Sequence, residues 1–348
     1  ESNSARRGGG AYMTGSDNVT YNLCNFTNCT SGTNGGGVDW LAGANYGHIY
    51  NCIFNNTRAA RSAGAIYYDG DYGRMENITI INTTSYGGSL KTSRDELVKY
   101  AGWDSSHWDT NTTGGDAGAI MFTGDHIIVY NVTFTNCTTV GRGGAVFLQA
   151  NHNVTFDLCK FENNRALGIA NNTWKNYTQE RNDANNDTKV DYKLTGHGGA
   201  VAFDVGASEC DITNSVFINN YARRDGGSIN FATGSLNNTV EYSNFTNNSC
   251  GDDGGAINWE GDLGHVIHII CYNNTAVAYN DEVTGASTSK GGIICLTGNN
   301  VTIANSTFEL GTVLYNAGKL NETDGGALFV TGNNTNITYS KFITRCLK

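Results

Sequence analysis

The chain has 348 residues, of which 45 are Gly and 46 are Asn; Pro is absent and Lys, Arg, Asp and Glu together make only 16%. That composition excludes a charged coiled coil, the lack of a Gly triplet period excludes collagen, and low charge with 11% aromatics argues against disorder. Twenty-two basic against 32 acidic residues give a net charge of -10, so neither nucleic acid nor an anionic membrane is expected as a partner.

No apolar run approaches the ~18 residues of a membrane span. The start at Glu1 shows no basic-then-apolar secretion signal, so such a segment is expected to have been removed or to lie outside this chain. The ten Cys form no close CxxC pair, which speaks against a zinc site. Asn-x-Ser/Thr triplets number 22, and that many acceptors point to an extracellular, N-glycosylated surface protein.

Taken in chain order, a Gly-Gly-Ala-Ile-like signal ends in Gly10, Gly37, Gly64, Gly118, Gly144, Gly199, Gly227, Gly255, Gly292 and Gly326. The base unit is about 27 residues, with four longer gaps that leave room for insertions. Some 12 to 16 residues after each signal stands a second landmark: Phe26, Phe54, Ile80, Phe134, Phe161, Phe217, Phe245, Cys271, Phe308 and Phe342. Two places beyond it come Asn28, Asn56, Asn82, Asn136, Asn163, Asn219, Asn247 and Asn273, then Leu310 and Thr344. Between the landmarks the residues alternate, as in Val154-Thr-Phe156 and Ile257/Trp259, which is the period of strands. No stretch of the core unit is long enough for a helix.

Three short strands per unit, stacked on their equivalents in the next, bury one face of each strand against the others. The fold expected is all-β, a parallel β-helix solenoid of about ten coils, with one domain over 8–348 and insertions at 86–117, 167–197, 277–290 and 311–324. Parallel neighbours ~4.8 Å apart put like side chains in register. The eight Asn are therefore expected to form an inward ladder, each bonding its counterpart and the local backbone. Gly suits the sharp turns, and Pro is missing because nearly every N–H lies in a ladder.

The paired motifs, as in Gly143-Gly144-Ala145-Val146 with Phe161-Glu-Asn-Asn164, resemble the repeats of chlamydial polymorphic outer-membrane proteins and of adhesin-like surface proteins of methanogenic archaea. The resemblance spans roughly residues 8 to 348. It implies a right-handed parallel β-helix displayed at a cell surface and used in attachment to surface polymers or other cells.

The insertions are where such a scaffold carries function. Residues 86–117 hold Ser93-Arg-Asp-Glu96, a capping box, followed by Trp103, His107 and Trp108 as candidate partner contacts; the same stretch also reads as a degenerate eleventh coil. Many β-helices degrade polysaccharides, a chemistry that needs catalytic carboxylates. Gly196-His197-Gly198 and Asp252-Asp253 match pieces of the polygalacturonase signature in the wrong order. His197, Asp225, Asp253 and Asp324 all precede the Gly pair, where Arg142 and Lys290 also stand, and a tolerant surface turn accounts for all of them. A carboxylate cluster in a groove of the folded chain would favour catalysis instead.

Asp69 and Asp71 read as an Asp-Gly turn rather than as Ca²⁺ ligands, and neither metal nor cofactor is implied. Cys24 and Cys52 share a coil position with Cys159, Ser215, Ser243, Ser306 and Ser340, which fits either a disulfide between adjacent coils or free buried thiols. Ladder Asn make poor glycan acceptors. The candidates are Asn111, Asn171, Asn176, Asn186 and Asn321 in loops, Asn18, Asn153, Asn237 and Asn300 at a turn, and Asn25 and Asn244 facing outward.

The function expected is a non-catalytic, glycosylated, adhesin-like rod. Its alternative is a filament subunit, because the chain starts near its first coil and stops at Cys346-Leu-Lys348, leaving strand edges for end-to-end stacking. A polysaccharide-degrading enzyme ranks third.

Overall fold

The computed structural model describes residues 3–87, 115–168, 196–277, 289–314 and 323–343. Every strand pairing among them is parallel, and the chain winds as a right-handed parallel β-helix. Two of its sheets are ten strands long.

One coil shows the pattern. Val146–Leu148 runs in the first sheet, Val154–Asp157 and Lys160–Glu162 form the two arms of a bent second sheet, and Arg165–Ala166 lies in the third. The coil thus has four short strands where three were expected. The bend falls at Leu158, whose φ is 54°, and at its counterparts Asn131 and Asn214. In the coil that holds Ile127–Thr135 the two arms run on as a single strand.

The aromatic column is as the repeat predicts. Phe134 is in register with Phe161, Phe161 with Phe217 and Phe217 with Phe245. Their rings stack at 4.7 Å, and all four are fully buried.

The Asn column differs from expectation by one residue. Asn28, Asn56, Asn82, Asn136, Asn163, Asn219, Asn247 and Asn273 all have φ between 53° and 57° and form an outer corner, exposed or half-buried. They do bond along the rod, as Asn136 Nδ2 to Asn82 Oδ1 at 3.1 Å and Asn273 Nδ2 to Asn247 Oδ1 at 2.8 Å. Asn is chosen there because it tolerates the left-handed conformation better than other L residues. The left-handed residue also breaks the alternation of the strand, so the side chain that returns inside is the next one. Asn164, Asn220, Asn248 and Asn274 are the buried ladder, at no more than 1% exposure.

The glycines serve two needs. The first of the pair takes positive φ, as Gly143 at 67°, while a Cβ on the second, Gly144, would meet the Gly199 carbonyl oxygen of the next coil at 1.9 Å. Ile66 pairs with Ile120 and Ser85 with Thr139. The coils flanking residues 88–114 are therefore direct neighbours, and an eleventh coil has no place between them.

Candidate functional site

The middle residue of each first-sheet strand points away from the core. Phe147, Ala202, Asn230 and Asn258 follow one another in register and make the floor of a groove along the rod. One wall consists of the residues just before each left-handed glycine, Arg142, His197, Asp225 and Asp253 in successive coils. The other is built from the turn after the strand, with Asp204, Thr233 and Glu260. A cavity of about 290 Å³ lies over this floor, lined by Arg142, Phe147, His197, Asp204, Thr233 and Glu260 among others; Asp225 and Asp253 stand behind His197 and do not line it.

The first wall is a bonded chain rather than the tolerant surface turn that the sequence suggested. His197 Nδ1 lies 2.9 Å from Asp225 Oδ2. Asp225 Oδ1 accepts the Asp253 N–H at 3.0 Å, and Asp253 Oδ1 accepts the Lys290 N–H at 2.7 Å. The coil repeat stacks these carboxylates, and each caps a backbone donor of its neighbour. Oxygens of Asp225, Asp252 and Asp253 lie within 4.8 Å of one another. This is the spacing of a cation site, but Asp225 and Asp253 each have one oxygen committed to a backbone N–H.

The two carboxyls are driven apart electrostatically. Burial pushes Asp225 up, but its hydrogen bond to His197, the His197 charge and the Asp253 N–H outweigh that and hold it below the usual carboxylate range. Burial pushes Asp253 up to about 7; the Asp225 charge adds to this, and Lys290 opposes it through its N–H and its charge. Near neutrality the wall therefore presents one ionised carboxylate beside one that still holds a proton.

The other sequence candidates fall as follows. Asp69 Oδ1 accepts the Thr123 hydroxyl at 2.6 Å and Asp71 Oδ1 the Asp125 N–H at 2.8 Å, as turn residues do. Cys24 and Cys52 are free thiols, the Cys24 N–H approaching the Cys52 Sγ at 3.4 Å. Asn18, Asn25, Asn153, Asn237, Asn244 and Asn300 are exposed. So are Asn82, Asn136, Asn247 and Asn273, which removes the ground for setting them aside as glycan acceptors. Asn111, Asn171, Asn176, Asn186, Asn321, Trp103, His107 and Trp108 lie outside the described residues. The sequence placed Asp225 and Arg142 only in a tolerant turn, without showing Asp225 as the partner of His197 or Arg142 as that of Asp204, and gave no sign of Asp204. The signal available was the change of residue type, basic to acidic, within a single coil position.

No protein-family model matches the chain, and no curated protein does. Among solved structures it is similar to the endo-xylogalacturonan hydrolase from Aspergillus tubingensis, at 11% identity over 97% of this chain and 87% of that one, with a TM-score of 0.34. The likeness is one of fold. The expectation of a non-catalytic adhesin-like rod, with a filament subunit as its alternative, is corrected: the solved structure to which the chain is similar is a hydrolase. Resemblance to the archaeal and chlamydial surface repeats is likewise not borne out beyond the parallel β-helix. No helix among the described residues is long and apolar enough to cross a membrane.

Proposed function

We propose that the chain is an extracellular glycoside hydrolase that takes a polysaccharide into the groove over its first sheet. The observation that carries this reading is the pair Asp225 and Asp253, on adjacent coils beside the cavity-lining His197, with carboxyls shifted in opposite directions. Two carboxyl groups in different protonation states are what glycosidic bond cleavage requires.

Asp253 is the general acid and Asp225 the nucleophile. An inverting pair needs ~6.5–9.5 Å between carboxyls to admit a water, and oxygens of this pair lie within 4.8 Å. In the first step the anomeric C–O bond breaks, the Asp253 proton passes to the leaving oxygen and an Asp225 oxygen bonds to the anomeric carbon. Water then attacks that carbon, Asp253 takes its proton, and Asp225 is released as carboxylate. His197 is a positioning residue that holds Asp225 ionised.

The test is reducing-end release from homogalacturonan, xylan, β-glucan and mannan. Asp253→Asn and Asp225→Asn are each expected to lower kcat by roughly 10³-fold with the circular dichroism spectrum unchanged. Activity in the native chain should fall as pH rises through about 7, where Asp253 loses its proton. Cleavage that persists in the double variant, or no cleavage of any polymer, overturns the reading.

A further inference from the structure

The groove is crossed by one side chain. Arg142 starts on the wall that carries the carboxylates, where Asp116 holds its Nε at 3.2 Å and its Nη2 at 3.0 Å. Its Nη1 reaches Asp204 on the opposite wall at 2.9 Å. Between the two walls the guanidinium lies over the Phe147 ring, 4.2 Å from its centroid. Arg142 is thus laid across the floor from rim to rim.

This bar is firmly held. The side chains of Arg142, Asp116 and Asp204 are only 24%, 13% and 22% exposed, and the guanidinium has hydrogen bonds on three of its nitrogens as well as the aromatic contact. Burial disfavours the Arg142 charge, but Asp116 and Asp204 outweigh that and keep it above its ordinary range. A flickering surface pair has neither property.

We infer that the Arg142–Asp204 bar closes the groove at one end, so that the chain removes short units from a glycan terminus rather than cutting within the polymer. This rests on the hydrolase reading. Arg142, His197, Asp225 and Asp253 occupy consecutive coils, and coils stack about 4.8 Å apart. The space from the bar to the acid pair is therefore two to three rungs, enough for a mono- or disaccharide end and not for a continuing chain. Phe147 under the guanidinium is covered at 1% exposure and offers no path beneath it. Glu260, in the same coil as Asp253, still lines the cavity at the level of the pair.

The experiment follows product length and viscosity on whichever of the four polymers the native chain cleaves. Native protein is expected to release mono- or disaccharide from the earliest time point, with viscosity falling only in proportion to bonds cut. Arg142→Ala should open the groove, giving a ladder of oligosaccharides and a several-fold larger viscosity loss per bond cut. Asp204→Ala, which leaves Arg142 tethered to Asp116, should shift the pattern the same way and decides the matter if Arg142→Ala does not fold. Internal cleavage by the native chain, or an unchanged product pattern in folded variants, overturns the bar and leaves the hydrolase reading standing. Failure of the native chain on all four polymers removes both.

Discussion

Asn220 stands directly under Asn164 inside the rod, and its side-chain oxygen accepts both the backbone N–H and the side-chain amide of Asn164, each at 3.0 Å. Its own amide donates to the Phe161 carbonyl and to Asn248 Oδ1, both at 3.0 Å. Asn220→Ala would take the acceptor from the buried Asn164 backbone N–H, one of the two acceptors from its amide, which keeps the Phe134 carbonyl, and a donor from the Phe161 carbonyl. The expected cost is roughly 2–4 kcal/mol, read as a lower urea midpoint. Asn219→Ala, one residue away on the exposed left-handed corner, should cost only ~1 kcal/mol from backbone strain, and Asn219→Gly should be near neutral. Equal losses at 219 and 220 would show the ladder to be misassigned.

That one-residue offset marks the limit of what the sequence discloses. The aromatic column was legible because side-chain identity recurs with the coil, and register follows from recurrence. The direction of Asn163 was not, since it depends on a positive φ that Asn permits but does not announce. A clue lay in the next position, where Cys29, Thr57, Thr83 and Cys137 precede Asn164 in the series and are small enough to turn inside. The wall of the groove was harder still. Arg142, His197, Asp225 and Asp253 looked interchangeable because they vary, yet the variation is what places a guanidinium, an imidazole and two unlike carboxyls in line. Reach across the groove, as from Arg142 to Asp204, joins positions 62 residues apart and has no local signature.

Phe161 sits between Phe134 and Phe217 with ring centroids 4.7 Å away on either side. Truncation to Ala opens a cavity that neither neighbour can fill without leaving its own stack, so Phe161→Ala is expected to cost about 3–5 kcal/mol. Phe161→Leu keeps most of the volume and should cost about 1 kcal/mol. Thermal denaturation of the two variants checks this, and a loss for Ala as small as that for Leu would mean that the stack contributes little.

Asp39 lies on the groove face of the first sheet at 1% exposure, and its Oδ1 meets no donor. Burial pushes its carboxyl up to about 7, against the Arg7 charge and with some help from Asp69. Unfolded, it titrates near ~3.9, so the folded chain favours the protonated form. Its contribution is fully present below about pH 4, declines as pH rises to about 7 and is constant beyond. Asp39→Asn, neutral at every pH and nearly the same shape, should therefore raise the melting temperature at pH 8 and leave it almost unchanged at pH 4. A gap of the same size at both values would mean that the Asp39 charge is not what burial opposes.

Nine cysteines of the described residues are free, and all but Cys24 are buried. Burial pushes the thiols of Cys137, Cys159 and Cys210 up to about 12. Nucleophilic reactivity belongs to the thiolate, so these groups are inert for two reasons, lack of access and lack of charge. Alkylation with iodoacetamide at pH 8, followed by peptide mass analysis, should mark Cys24 first among the nine, and the other eight only once denaturant is added. Because Cys52 sits one coil away with its sulfur accepting the Cys24 N–H, alkylation of Cys24 alone should leave the unfolding free energy from urea titration within about 1 kcal/mol of the native value, as for a surface change. Rapid labelling of Cys159 or Cys210 in the native chain would mean that the coils open locally far more often than a closed hydrogen-bond ladder allows, and the rigid groove on which the acid pair depends would go with it.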